Sequence, residues 1–177
     1  PRAMQVVGPS GELIYFTRIL PGGSRYGLHG ARSTVDRVFI VTVGGPSSEQ
    51  MHSFYGGALG LRIMDRMPFI NTILADGCAV PYSTVFPTSI ARIPGRSFLV
   101  EMDELPTAVQ PRRRRDGHLP PGMSMVSFLV RSLDDLPLPA RSLPRNIESL
   151  PYAGRRVAVF EGNAGEWLEL IEGERGN

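Results

Sequence analysis

The chain has 177 residues, of which 42% are hydrophobic and 20% are charged, and its formal net charge is +2. This size suits one compact domain or slightly more. The sequence contains neither a run of roughly 18 to 20 apolar residues nor a signal-peptide pattern, so we expect no membrane partner. The single cysteine, Cys78, excludes an intramolecular disulfide and a zinc–cysteine cluster, and a cytoplasmic location is expected.

The first part of the chain predicts a hairpin, a linker, a strand and a helix. Residues 3–19 consist of two apolar runs around a GPSG turn, which is typical of a β-hairpin. Glycine-rich residues 21–35 predict a linker. The β-branched run VDRVFIVTV, residues 35–43, predicts a strand buried on both faces. A capping box at Ser47 then begins a helix, and Gly60 ends it.

The rest of the chain predicts further strands, two short helical segments and a second linker. After the strand at 124–132, Pro137 and Pro139 shorten or displace the next helix. The other predicted elements are a strand at 61–67, a short helix within 68–77, a hairpin over 84–103, a linker at 105–122 and a closing hairpin over 155–172.

A repeat relates the two halves of the chain. The order of strand, helix and three strands occurs at 36–103 and again at 124–172. GELIYFT near the start aligns without a gap with GEWLELI near the end, which places Tyr15 at the position of Glu169. SFLVEMD supplies Glu101 as the counterpart in the middle. Glu169 lies in a strand with apolar residues on both faces, and a buried carboxylate is costly unless it is paired.

Three segments resemble the vicinal oxygen chelate superfamily, which includes glyoxalases, bleomycin-resistance proteins and extradiol dioxygenases. VDRVFIVTVGGPSSEQMHSFYGGALGLRIMDR is similar to the superfamily's opening βαβ unit. MSMVSFLVRSLDDL and RRVAVFEGNAGEWLELIE are similar to corresponding parts of a second unit. The resemblance implies an α+β fold in which paired βαβββ modules form a curled, mostly antiparallel sheet cup around a small-molecule ligand.

The resemblance also divides the chain into modules and linkers. A lone hairpin is marginally stable in water, so we expect the first one to pair with a sheet edge or to complete a neighbouring copy. Exchange of modules between chains would produce a homodimer. The expected parts are the closing hairpin of a preceding, mostly absent module (1–20), a linker (21–35), module one (36–104), a second linker (105–122) and module two (123–173).

Metal-using members of the superfamily hold a divalent ion with His or Gln from the first strand and Glu from the last strand of each module. Glu101 and Glu169 match the last-strand positions, whereas Arg37 and Met125 occupy the first-strand positions. Arginine offers no lone pair, and methionine sulfur is a soft ligand. We therefore expect no metal cofactor. The alternative is an Fe, Mn, Zn or Ni ion held by the two glutamates.

The alignment of the first strands could shift by two residues without changing this expectation. Such a shift would bring Phe39 or Val41, and Ser127 or Met123, to the ligand positions. None of these side chains is a good ligand for a hard cation.

The candidate pocket combines charged and apolar side chains. We hypothesise that Arg37 replaces the positive charge of the metal beside Glu101 and Glu169. The alternative is that Arg37 only neutralises a neighbouring acid. The other pocket candidates are Met125 and three predicted apolar walls, Phe39, Phe128 and Trp167.

We predict a protein that binds a small organic molecule and is metal-independent or a degenerate enzyme; no catalytic residue is identified. One alternative is a metal-dependent lyase, isomerase or extradiol-type dioxygenase that uses Glu101 and Glu169. Another is a structural or interaction module with a filled cup. The run RRRR at 112–115 lacks interleaved aromatic residues, which favours a solvated connection over a nucleic-acid partner. We expect His52 to lie outside the cup.

Overall fold

The computed structural model describes residues 2–23, 28–64, 66–96, 98–111 and 113–173. The strands, in chain order, are β1 (Arg2–Val7), β2 (Leu13–Arg18), β3 (Ile40–Gly45), β4 (Arg62–Ile63), β5 (Met67–Ile70), β6 (Val85–Arg92), β7 (Leu99–Glu104), β8 (Met125–Val130), β9 (Arg145–Ile147), β10 (Arg155–Glu161) and β11 (Trp167–Glu172). The helices are α1 (Ser48–His52), which continues into a π-helix (Ser53–Ala58), and α2 (Thr72–Gly77).

Sheet one contains the strands of module one in the order β3–β7–β6–β4, and β5 also pairs with β6. β3 and β7 are parallel, and Thr42 lies opposite Glu101 in their ladder. The other pairs in this sheet are antiparallel. Because β4 and β5 pair with successive parts of β6, they act as one interrupted strand. The module is therefore a βαβββ unit.

Sheet two repeats this arrangement in the order β8–β11–β10–β9. Its first and last strands are again parallel, and Ser127 lies opposite Glu169. The predicted α+β fold of two repeated modules is confirmed. One difference is that the described residues between β8 and β9 form no helix. Pro137 and Pro139 lie in this segment, where each removes a backbone donor and blocks a helical turn.

The two sheets share one hydrophobic core. We call the sheet faces that contribute to it the inner faces, and the opposite ones the outer faces. Side chains of α1 and the π-helix lie in the same cluster, so this helical segment of module one packs with both sheets. The buried members of the core are Val43, Met51, Phe54, Tyr55, Ala91, Val100, Met102, Leu133, Ala158, Phe160, Leu168 and Leu170.

The start of the helix follows the capping chemistry expected from the sequence. The Ser47 side chain accepts a hydrogen bond from the backbone N–H of Gln50 at 3.3 Å. The helical segment ends at Ala58, and Gly60 adopts a positive φ of 69°, which suits a glycine after a helix end. In the described part of the chain, no helix has both the length and the apolar character needed to cross a membrane.

The first hairpin, β1–β2, forms a separate two-stranded sheet. It does not join a sheet edge of this domain, since among the described residues β1 and β2 pair only with each other. The other expectation, that it completes a neighbouring copy, stays a prediction. Its turn is tied to the end of the second linker, where the Gly122 N–H donates to the Ser10 carbonyl at 3.0 Å. Tyr15 of β2 lies near the outer face of sheet one.

Candidate functional site

The outer face of sheet one carries a pair of carboxylates on β7. Alternation along this strand puts Glu101 and Asp103 on one face, while Val100 and Met102 lie in the shared core. Thr88 and Ile90 of β6 lie opposite the two acids and share their face, since directly opposite residues of antiparallel strands point the same way. The two carboxylates therefore face away from the core.

Asp103 is 1% exposed and is only partly satisfied by hydrogen bonds. Its Oδ1 accepts a bond of 2.6 Å from the Thr88 hydroxyl. Its Oδ2 is buried and has no hydrogen-bond partner among the described residues. Burial raises the pKa of Asp103, and the bond from Thr88 opposes this shift. A buried carboxylate oxygen without a donor is an unusual feature in a folded protein.

Glu101 shares the apolar surroundings of Asp103. Burial, and then the negative charge of Asp103, raise its pKa from 4.5 to about 7. The ion pairs within the described ranges involve other acidic residues, so no arginine compensates this pair. Near neutral pH, Glu101 is therefore divided between its protonated and ionised forms.

Tyr15 approaches the acid pair from the first hairpin. Burial, and then the charges of Asp103 and Glu101, raise the pKa of its phenol, and a hydrogen bond with the Asn71 side chain lowers it. Asn71 caps α2, where its Oδ1 accepts from the N–H groups of Ile73 and Leu74 at 3.0 and 3.2 Å. The Asn71 side chain therefore lies beside the phenol of Tyr15.

On the outer face of sheet two, the glutamate is fully hydrogen-bonded. Glu169 is 8% exposed, and both of its carboxylate oxygens are bound. The hydroxyl of Ser127 donates to Oε2 at 2.6 Å, and the hydroxyl of Tyr152 donates to Oε1 at 2.8 Å. The bond to Glu169 raises the pKa of Tyr152. The sequence predicts that Glu169 lies in a strand covered on both faces and needs a partner. The two hydroxyl donors are that partner.

Trp167 lies on the same outer face as Glu169 and has two guanidinium groups near its ring. The Arg141 guanidinium is 4.7 Å from the indole centroid, and that of Arg114 is 5.8 Å away. Both arginines form ion pairs with Glu161. Arg114 belongs to the four-arginine run, so at least this member of the run is bound to module two rather than solvated.

The structure separates the predicted pocket residues. The inner faces of the sheets pack together, so Glu101 and Glu169 lie on opposite outer faces and do not line one cup within a single chain. Arg37 precedes β3 and pairs with Asp36 at 2.7 Å, as in the alternative interpretation of a neighbouring acid. The predicted strand at 35–43 begins only at Ile40, so Arg37 does not occupy a ladder position.

The apolar candidates are also divided among different surfaces. Phe128 packs against the shared core and so lies on the inner face. Phe39 precedes β3, and its carbonyl accepts from the Leu99 N–H at 2.9 Å. Met125 lies directly opposite Trp167 in the β8–β11 ladder, so these two remain on the face of Glu169.

Asp103, Thr88 and Tyr152 were missed by the sequence analysis. Asp103 follows Glu101 by two residues, so strand alternation alone could have placed both acids on one face. Thr88 and Tyr152 carry no such signal, because their contacts depend on strand register and on the path of a loop.

The arrangement does not fit the metal centre that the superfamily implies. Thr42 and Ser127, rather than His or Gln, lie opposite Glu101 and Glu169 in the parallel ladders. Both oxygens of Glu169 are already bound to hydroxyl groups. Within the described ranges, no three His, Cys, Asp or Glu residues come together in a way that could hold a metal ion.

Two clefts lie away from both glutamates. A cleft of about 280 Å³ separates the π-helix from the segment that follows β8, with Phe54 and Leu138 among its walls. A second cleft of about 420 Å³ is lined by His29, Gly30, Arg32 and Arg37. His52 lies against the inner face of sheet one, with its Nε2 2.6 Å from the Ser89 hydroxyl, on the side of the sheet opposite to Glu101.

The same fold occurs in solved structures. A glyoxalase family protein from Bacillus cereus is 17% identical and has a TM-score of 0.59, with 81% of this chain and 98% of that chain covered. A glyoxylase/bleomycin resistance protein/dioxygenase domain from Frankia sp. EAN1pec is 14% identical and has a TM-score of 0.54, with 80% and 100% covered.

A third similar structure is TnmS3, an antibiotic-binding protein from Streptomyces sp. CB03234. It is 15% identical and has a TM-score of 0.50, with 80% of this chain and 98% of that chain covered. No family model and no curated protein matches the chain. At these low identities the likeness concerns the fold alone, and at that level the resemblance inferred from the sequence is confirmed.

Proposed function

We propose that this chain, which has the fold of the glyoxalase/bleomycin resistance/dioxygenase superfamily of vicinal oxygen chelate proteins, binds a small organic molecule on the outer face of module one. The observation that carries the proposal is the acid pair Glu101 and Asp103. One buried oxygen of the pair lacks a donor, and neither carboxylate has a compensating arginine among the described residues. A bound ligand would supply the missing hydrogen-bond donor and the missing positive charge.

Apolar side chains surround this acid pair. Phe86, Ile90 and Leu99 lie on the same outer face and are at most 3% exposed. Apolar walls with a few placed polar groups are the usual composition of a small-molecule site. The combination supports binding of a compact organic ligand rather than of an extended polymer.

We further propose that binding needs no resident metal. The ladder partners of the two glutamates are hydroxyl side chains, and Glu169 is already satisfied by its neighbours. Metal-dependent lyase, isomerase or dioxygenase chemistry with Glu101 and Glu169 in one site would require both residues to leave their present surroundings or to meet those of another copy. The homodimer and the cytoplasmic location remain predictions.

A ligand screen by thermal shift tests the proposal, because a ligand that binds only the native state stabilises it by RT ln(1 + [L]/Kd). We expect a saturable shift that is lost in Tyr15→Ala and kept in the control variant Tyr152→Phe. Ligands whose shifts disappear only in Tyr152→Phe would move the site to module two. A screen without any saturable shift would favour the structural or interaction module.

Elemental analysis of protein purified without chelator or nickel resin tests metal independence. We expect far less than one equivalent of Fe, Mn, Zn or Ni per chain, unrestored when the ions are added back. About one equivalent that is lost in Glu101→Gln would contradict the proposal and favour the metal-dependent enzyme.

A further inference from the structure

We infer that the ligand of the module-one outer face is an organic cation, a protonated amine joined to an apolar group, bound by Glu101 and Asp103 beneath the first hairpin. This inference rests on the proposed function and specifies the chemical class of the ligand. The inference follows from the hydrogen-bonding capacity of the site, from its charge and from the aromatic ring of Tyr15 beside it.

The site lacks donors and has acceptors to spare. An ionised carboxylate can only accept hydrogen bonds, and the only described donor to the Asp103 side chain is Thr88, at 2.6 Å to Oδ1. The other oxygen, Oδ2, is buried without a partner. A ligand that fits must therefore donate a hydrogen bond, and an ammonium group has up to three N–H donors in a small volume.

The charge of the site selects a cation over a neutral donor. Every one of the 19 basic residues in the chain is an arginine, so no lysine ammonium exists to fill this position. The described arginines that form ion pairs do so with Asp36, Glu104, Asp134, Glu161 and Glu172. Two neighbouring carboxylates without a counter-ion repel an anion and attract an ammonium ion, most strongly where water is excluded.

Tyr15 completes the site from above. Its phenol lies beside the Asn71 side chain and near both acids, as their effects on its pKa indicate. An aromatic ring beside carboxylates is a favourable surface for an organic cation, because the ring face attracts positive charge. Buried Phe86 and Ile90 on the sheet would contact the apolar part of the ligand. Asp103 is 1% exposed, so a ligand can reach it only if the side chains around it move.

Isothermal titration with three ligands of matched shape tests this inference. Benzylamine is the cation, benzyl alcohol the neutral isostere and benzoate the anion. At pH 8 we expect benzylamine to bind at least about tenfold more tightly than benzyl alcohol, since one charge-assisted contact corresponds to that factor or more. Benzoate is expected not to bind. Magnesium and manganese chloride, each added alone, are also expected to give no saturable heat.

Two variants locate the binding. Glu101→Gln removes a charge without changing side-chain size and should weaken benzylamine binding by about tenfold or more. Glu49→Gln, on the exposed part of α1, is the matched control and should leave it unchanged.

Each alternative result has a distinct meaning. Equal binding of benzylamine and benzyl alcohol, or full affinity in Glu101→Gln, overturns recognition of a cation but leaves small-molecule binding intact. No binding of benzylamine at millimolar concentration also overturns the inference, while the separate ligand screen still decides the proposed function. Saturable binding of magnesium or manganese alone overturns both the organic cation and metal independence.

Discussion

The two outer faces carry a glutamate at the same position of their parallel ladders, yet its surroundings differ. Glu169 faces Ser127 and is held by two hydroxyl donors, whereas Glu101 faces Thr42 and stands beside a second acid. The strand position therefore determines where a carboxylate lies, while the neighbouring side chains determine whether it is satisfied. In module two, Glu169 is bound by hydroxyl groups of the protein itself. In module one, Glu101 has no ion-pair partner among the described residues.

The largest expected effect concerns the core that both faces share. Leu168→Ala removes a side chain that is 1% exposed and should lower the free energy of unfolding by about 3 kcal/mol. Because one core supports both sheets, urea denaturation should still show a single transition. Leu129→Ala, at a position 62% exposed, is the control and should change stability by less than about 0.5 kcal/mol. Two separate transitions would mean that the faces belong to independent units.

Glu169→Gln should reduce stability by about 2 kcal/mol, because glutamine has one acceptor oxygen for the two hydroxyl groups that now donate to Glu169. The amide nitrogen would meet one of these hydroxyls donor to donor unless that hydroxyl rotates away. The urea midpoint at pH 8 measures the effect. An unchanged midpoint would show that the two hydroxyl contacts do not stabilise the folded chain.

Glu101→Gln should increase the free energy of unfolding at pH 8, unlike Glu169→Gln. The pKa of Glu101 is raised from 4.5 to about 7 in the folded protein, so the folded state holds a proton that the unfolded chain releases. Stability from this group is full below pH 4.5 and is lost as the pH rises through about 7. The substitution should therefore stabilise the protein at pH 8, by about 1 to 2 kcal/mol after allowance for solvent screening.

Urea midpoints between pH 5 and pH 8 check this sign. The titratable groups that face Glu101 are Asp103 on its own strand and Tyr15 on the hairpin. Burial shifts the pKa of Asp103 in the same direction, so some pH dependence should persist in Glu101→Gln. A variant that is less stable than the wild type at pH 8 would mean that Glu101 has a partner in solution.

The smallest effect is expected from Tyr152→Phe. It removes one hydroxyl donor, 2.8 Å from Glu169, and should lower the urea midpoint slightly. In the double variant with Glu169→Gln, the two losses should be less than additive, because both changes break the same contact. Additive losses would show that the hydroxyl does not interact with Glu169 in solution.

Local patterns predicted much of the fold. The capping residue Ser47 and the alternation in GEWLELI correspond to a helix start and to strand β11. The prolines after β8 predicted a disturbed helix, and in the structure the described part of that segment has none. These features depend on neighbours within a few residues, so a single sequence contains the information needed to predict them.

The site depends on contacts that the sequence does not specify. The ladder partner of Glu101 is Thr42, 59 residues earlier, and this register is fixed by packing of the shared core rather than by a local pattern. The strand β3 begins five residues later than the sequence predicted, so Arg37 lies outside the ladder. Tyr15 had a signal in the repeat, but only the path of the hairpin shows that it meets module one rather than module two.

The missing helix in module two has a consequence for how this chain can be divided. Met51, Phe54 and Tyr55 come from module one, yet they fill the core beneath sheet two, and the Tyr55 hydroxyl donates to Glu166 at 2.7 Å. The second unit therefore depends on a helix that the first unit supplies. Expressed by itself, residues 123–173 would present an uncovered apolar surface and aggregate.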